Sequence, residues 1–217
     1  MGHVLLGRLP RTRRWMEVIE LIGGSASSAA VASATLDAAE ADLAHAASDP
    51  GVLRSFFLLT QLPDAARSDD FVSALHALGI QVSRLPSTAE LSAALSDAID
   101  RHIDATRCRT DLGDMAQSAA VETLASLVGA RTGNLFGSSP DDVRQEVSKL
   151  ATDQQFGTVT RDFFARFSQR FLTYYVSREL PQHVGPGKRF RSTAEQSRFT
   201  DALDLHCKQA AKIVEKF

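Results

Sequence analysis

QFGTVTRDFFARFSQRFLTYYVSREL, residues Gln155 to Leu180, sets five Phe and two Tyr at helical spacing among four Arg. Phe156, Phe163, Phe167, Phe171 and Tyr174 are separated by 7, 4, 4 and 3 residues, which puts them on one stripe of an α-helix. Phe164, Leu172 and Tyr175 widen that stripe to roughly half the circumference. Burying an aromatic side chain stabilises a fold by about 1.5–3 kcal/mol. This segment is therefore expected to be the central helix of a core, with its ring-bearing residues turned inward. Asp162, Arg166 and Arg170 follow one another at intervals of four, acid first, and predict a salt-linked solvated edge. Aromatic rings mixed with Arg also suit a stacking surface for single-stranded nucleic acid, but an interior stripe has the same spacing and is the simpler expectation.

Helix punctuation extends outward from this segment in both directions. Thr12 can cap a helix carrying Trp15, Val18, Ile19 and Ile22, which Gly23 and Gly24 stop. Ser25–Ser28 opens an Ala-rich helix toward Ala47, and Asp49-Pro50 opens another carrying Val52, Phe56, Leu59 and Leu62, expected to run until Pro63. Ser68 is expected to cap a short helix closed by Gly79. Ser87 with Glu90, and Ser192 with Glu195, have the spacing of capping boxes. Asp111 begins a helix expected to end at Gly129 and Gly133, and Ser139-Pro140-Asp141-Asp142 places a cap, a Pro and two acids at the start of the next. Pro181 terminates the aromatic helix. The last helix carries Phe199, Leu203, His206, Ala210 and Ile213 and has no stop signal before Phe217, so it is expected to dock onto something or to continue. Strand signals are confined to His3–Leu6 and Ile80–Leu85, too little for a sheet.

The fold class expected is all-α, a compact multi-helix bundle of about eight helices. A composition shift near 129–140 suggests two helical subdomains sharing one core. Residues 1–134 are rich in Ala and Leu, whereas residues 135–217 hold nine of the twelve Phe and both Tyr and are mildly basic. Small side chains let helices approach closely and aromatic ones hold them apart. No period of solenoid length repeats.

Composition narrows function mainly by exclusion. The 217 residues are 44% hydrophobic and 23% charged, with a formal charge of −2, ordinary for a globular chain and without a general reason to bind polyanions. From Asp153 onward 11 Lys or Arg face 7 Asp or Glu, so the basic character is local. Cys108 and Cys207 cannot form a disulfide framework, the amino terminus lacks a signal peptide's apolar run, and no stretch is long enough to span a bilayer. A cytoplasmic location is expected, and 19 Arg against 5 Lys with abundant Ala resembles a bacterial composition.

The best local candidate for a binding site is the loop PQHVGPGKRFR, Pro181–Arg191, which offers Lys188, Arg189 and Arg191 beside Ser192 at a helix start, a place suited to an anion or a partner. It lacks P-loop spacing. Arg11, Arg13 and Arg14, with Arg8, form a second basic cluster, and the competing expectation for each cluster is an exposed connection or arm. Gly129, Gly133 and Gly137 do not have dinucleotide-loop spacing and are expected to be turns. His102, Cys108, His206 and Cys207 lack metal-ligand spacing, so no metal site and no cofactor are implied. Cys207 falls on an apolar helix face with Leu203 and Phe199, and His102 lies among Ile99 and Ile103. Asp97, Asp100 and Asp104 read as a solvated face alternating with Arg101. The second helix of a loose helix-turn-helix pattern, SASSAAVASATLDAAEADLA, has no Arg, Lys, Asn or Gln for base edges.

The function expected is a noncatalytic protein-interaction or adaptor subunit of a bacterial multi-protein system, with a protein partner and with self-association compatible. The alternative is a nucleic-acid-associated helical protein using the basic 187–191 loop and the Arg-rich amino terminus. An enzyme would instead assemble His102, His183 or His206 with carboxylates in a deep pocket.

Overall fold

The computed structural model describes residues 12–84, 86–132 and 140–210. They form ten α-helices and a single 3₁₀ turn, and no β-strand is present among them. The helices are α1 (Arg13–Gly23), α2 (Ser28–Ala38), α3 (Glu40–Ala46), α4 (Pro50–Arg67), α5 (Phe71–Ala77), α6 (Thr88–Thr106), α7 (Asp111–Thr132), α8 (Pro140–Ser148), α9 (Asp153–Glu179) and α10 (Thr193–Ala210), with the 3₁₀ turn at Leu180–His183. The all-α bundle expected from the sequence is the fold observed.

α4, α7 and α9 form the centre. α6 and α8 pack on α4 and α7, while α2 and α10 pack on α9 and α1 packs on α2. A single hydrophobic cluster runs from Trp15 to Cys207 and draws on helices throughout the chain. α9 supplies its spine, but by a different row from the one its spacing suggests. Val159, Phe163, Phe167, Phe171 and Tyr175, each four residues from the next, are buried. Phe163 and Phe167 stack at 6.2 Å, and Tyr175 lies 4.6 Å from the Trp15 ring. Phe156 is 50% exposed, and Tyr174 is half-buried with its hydroxyl donating to Asp111 Oδ2 at 2.8 Å. Phe156 misses the core because the first turns of α9 stand over the polar end of α4, beside Thr60 and Asp64. The expected edge at Asp162 and Arg166 is present at 3.6 Å, but Arg166 and Arg170 also reach across to Glu122 of α7.

Local signals were mostly obeyed, with corrections that have physical causes. Thr12 and Asp49 cap α1 and α4 as expected. The Ala-rich segment breaks at Ala39, whose φ of −95° and ψ of 7° separate α2 from α3. α4 does not stop at Pro63 but continues to Arg67. A proline removes one backbone hydrogen bond, and here the ring is buried, which offsets that loss. Asp70 rather than Ser68 caps α5, accepting from the Ser73 amide at 3.0 Å and its hydroxyl at 2.6 Å.

The capping boxes are only half closed. Ser87 accepts from the Glu90 amide at 3.1 Å, but the Glu90 carboxylate turns to the Ser83 amide at 2.6 Å and its hydroxyl, contacts that hold it below the usual carboxylate range. Glu195 likewise accepts from the Arg191 amide at 2.7 Å. α7 runs through Gly129 to Thr132 because a lone glycine only weakens a helix. Residues 80–84 are irregular, with Ile80 buried. Gly133, Gly137, Ser139, His3–Leu6, Leu85, Arg8, Arg11 and Ile213 lie outside the described residues.

Candidate interaction site

The basic loop after α9 is a closed structure rather than an open arm. The Gly185 amide donates to the Phe190 carbonyl at 2.8 Å and the Phe190 amide to the His183 carbonyl at 3.0 Å. Gly185 and Gly187 have φ of 133° and 73°, values that favour glycine. This folding aims Arg189 inward. Its guanidinium donates to the carbonyls of Leu21 at 2.6 Å and Ile22 at 2.9 Å, and to that of Ala26, while lying 4.4 Å from the centre of the Phe199 ring. Burial lowers its pKa from the ordinary arginine value. The Leu21 and Ile22 carbonyls lie at the carboxyl end of α1, where the helix dipole favours a cation, and that of Ala26 lies in the connection to α2.

The other candidate residues are placed differently. Lys188 is exposed and donates to the Gln182 carbonyl at 2.7 Å. Arg191 is exposed, and Ser192 caps α10 through the Glu195 amide at 3.4 Å. Arg13 is exposed at the far end of α1, and Arg14 donates to the Asp37 carbonyl at 2.9 Å and to Glu40 at 3.0 Å. Arg13 and Ile22 lie nine residues apart on one helix, about 13 Å along its axis. Arg13 and Arg14 thus lie at the opposite end of α1 from Arg189.

Groups with possible chemistry are dispersed. Among the described residues, no cluster of three or more His, Cys, Asp or Glu is placed to hold a metal. His102 is on α6, His183 packs against Gly23 and His206 is on α10. Burial, with Arg54 nearby, holds His102 below its ordinary pKa. On α6, Asp97 and Asp104 are exposed as their spacing suggests, and Asp100 is half-buried. Asp100 and Asp104 converge on Arg109 at 2.7 and 3.4 Å, joined by Asp114 at 3.0 Å, and Arg101 instead reaches the Gly79 carbonyl at 2.6 Å. This network keeps Arg109 charged and ties α6 to α7.

The feature that remains without an internal role is an apolar groove between α4 and α9. A cavity of about 300 Å³ is lined by Leu53, Phe56, Phe163, Phe164 and Phe167, among others. Its rings are mutually packed, with Phe56 5.2 Å from Phe163 and 5.4 Å from Phe164. Yet within this lining Leu53 is 53% exposed and Phe164 36%, and Phe57, also on α4, is 45% exposed. A second cavity of about 280 Å³ lies farther along the same two helices, between Thr60, Pro63, Asp64, Asp153 and Phe156. Exposed apolar side chains gathered around a groove mark an interaction site more often than a solvated face. Sequence periodicity on α9 places Phe164 and Phe156 in the interior, and that on α4 points only to a core helix carrying Val52, Phe56, Leu59 and Leu62. The signal on α4 was that Val52, Leu53, Phe56, Phe57, Leu58 and Leu59 together exceed what one helix face can bury.

No helix among the described residues is long and apolar enough to cross a membrane. No protein-family model, no curated protein and no solved structure matches this chain.

Proposed function

We propose that this protein is a noncatalytic interaction subunit of a bacterial, cytoplasmic multi-protein system, and that it docks its partner on the α4/α9 face. The observation carrying this reading is the exposure of Leu53, Phe57, Phe164 and Phe156 on two adjacent helices. Leaving such side chains in water forgoes stabilisation that burial against a partner recovers. Two free thiols, Cys108 exposed and Cys207 buried, suit a reducing compartment, and the excess of Arg over Lys supports the bacterial assignment. The nucleic-acid alternative draws less support, because Arg189 is committed to three backbone carbonyls. It would rest on Lys188, Arg191, Arg13 and Arg14, and would show steep weakening with salt.

The test is site-specific photocrosslinking in the native host, with the reactive side chain at position 53 or 164 and a control at Ser197, exposed on α10. Both groove positions are expected to yield the same protein adduct and the control none. Nucleic-acid adducts from positions 188 and 191, with none from the groove, would replace this reading with the alternative.

A further inference from the structure

We propose that the element received by this groove is an amphipathic α-helix of a partner protein, apolar through its middle and carrying Lys or Arg where it meets Asp64 and Asp153. This rests on the protein-interaction reading above. The walls of the groove are formed by Leu53, Phe56, Thr60 and Asp64 on α4 and by Asp153, Phe156, Phe164 and Ser168 on α9, with Gly157 in helical register between Asp153 and Phe164. Leu53 shares a cavity with Phe164 and Ser168, and Asp64 shares one with Asp153, so the helices run antiparallel. The eleven helical steps from Leu53 to Asp64 span about 16 Å, the length of about three turns of a docked helix.

Backbone chemistry selects the helix. Through the middle of the groove both walls are helical and their amides and carbonyls bond within their own helices, so an extended strand would meet no ladder to join there. A helix brings its backbone bonds with it and presents apolar anchors at intervals of three and four residues. Charge fixes which end of it is basic. One cavity is lined by Leu53, Phe56 and Phe164, whereas the other exposes Asp64 and Asp153, and the nearby Arg67 donates to the Ala151 carbonyl at 3.3 Å.

Gly157 supplies an independent observation. It lies inside α9, on the wall stripe between the two cavities, where glycine costs about 0.5–1 kcal/mol relative to alanine. A Cβ built there meets nothing within 4 Å, so no internal contact calls for its absence. A missing side chain at the middle of a groove lets another backbone come close.

The experiment is selection of a displayed library of helix-forming peptides, each about 16 residues long so that the roughly 11 residues that span the groove are flanked at both ends, on the folded full-length chain. Enriched sequences are expected to carry apolar residues at i, i+3 or i+4 and i+7, with Lys or Arg about one turn beyond. Phe164→Asp is expected to abolish their binding. Gly157→Ala is expected to weaken it about tenfold while raising Tm, and joint Asp64→Lys and Asp153→Lys substitution to weaken it about tenfold, with recovery for peptides whose basic residues are exchanged for Glu. Extended or proline-rich peptides that bind through Phe164 would overturn the helix while leaving the interaction reading standing. Self-association lost in Phe164→Asp would make the occupant a second copy and overturn a separate partner. Peptides indifferent to Phe164→Asp would remove both the helix and the groove.

Discussion

Arg189 donates to the Leu21 carbonyl at 2.6 Å across 168 positions of chain, joining the loop after α9 to the end of α1. The same guanidinium reaches Ile22 and Ala26 and lies over Phe199, so one side chain closes a helix terminus and seats α10. Hydrogen bonds from a charged donor contribute about 1.5–3 kcal/mol each in favourable cases. Arg189→Ala is expected to destabilise the fold by about 2–4 kcal/mol by urea denaturation. Arg189→Lys should recover little, because a single ammonium cannot span the set of carbonyls a planar fork reaches. Lys188→Ala and Arg191→Ala, at exposed positions, should stay within about 0.5 kcal/mol of the parent. Equal effects at all three positions would show that the loop acts as a charge cluster rather than through this one side chain.

Phe163 and Phe156 sit seven residues apart on one helix, and the sequence pattern treats them alike. Phe163 is fully buried among Phe56, Phe164 and Phe167, whereas Phe156 is half-exposed. Phe163→Ala is expected to cost about 3–5 kcal/mol, since it removes burial and leaves a void. Phe156→Ala should change stability by less than about 0.5 kcal/mol. Thermal or chemical unfolding of the two variants separates these outcomes directly, and a large loss at Phe156 would mean that it contributes to the core.

What could be read in advance follows from the range of the physics involved. Caps such as Thr12 and Asp49 act within one turn, so short motifs identified them. The dominance of the α9 aromatic row was likewise legible, because periodicity is a property of a single helix. Which edge of that row meets water was not, since it depends on where α4 lies against α9. Arg189 shows the same limit from the opposite side. A charged residue in a glycine-containing loop reads as exposed, and only the closure of residues 184–190 turns it toward α1. Asp100 and Asp104 acquired a partner, Arg109, from beyond their own helix, and Glu122 met Arg166 and Arg170 from a different one.

Gly51 and Gly113 show where backbone contact sets the packing. A Cβ added to Gly51 would lie 2.7 Å from the Gly113 Cα, closer than packed atoms allow, so α4 and α7 cross with their main chains touching. Asp49, the cap of α4, also accepts from the Thr110 hydroxyl at 2.6 Å and ties the two helix starts together at this crossing. Gly51→Ala is expected to destabilise by about 1–3 kcal/mol, as overpacking does, despite the better helix propensity of alanine. Gly157→Ala should stabilise by about 0.4–1 kcal/mol, because nothing surrounds the new methyl group. Opposite signs for one chemical change, measured by urea denaturation, would establish that the first glycine is required by packing and the second is not.

Cys207 and Cys108 carry the same thiol in opposite settings. Burial pushes the Cys207 thiol up to about 11, with nearby Asp204 adding to the effect, whereas Cys108 is exposed. In the unfolded chain a cysteine releases its proton near pH 8.5, as a rough reference value. Between that pH and about 11 the folded protein holds the Cys207 proton more tightly than the unfolded chain does, so stability falls as pH rises through this window. Below it both states carry the proton and Cys207 adds no slope. Cys207→Ala should remove the alkaline decline attributable to this residue, while Cys108→Ala should leave it in place. A disulfide-exchange reagent at neutral pH is expected to label Cys108 alone in the native protein and both thiols after denaturation, because only the thiolate attacks. Rapid native labelling at position 207 would show that α10 opens readily from the core, and would place that helix among the protein's mobile elements rather than its fixed ones.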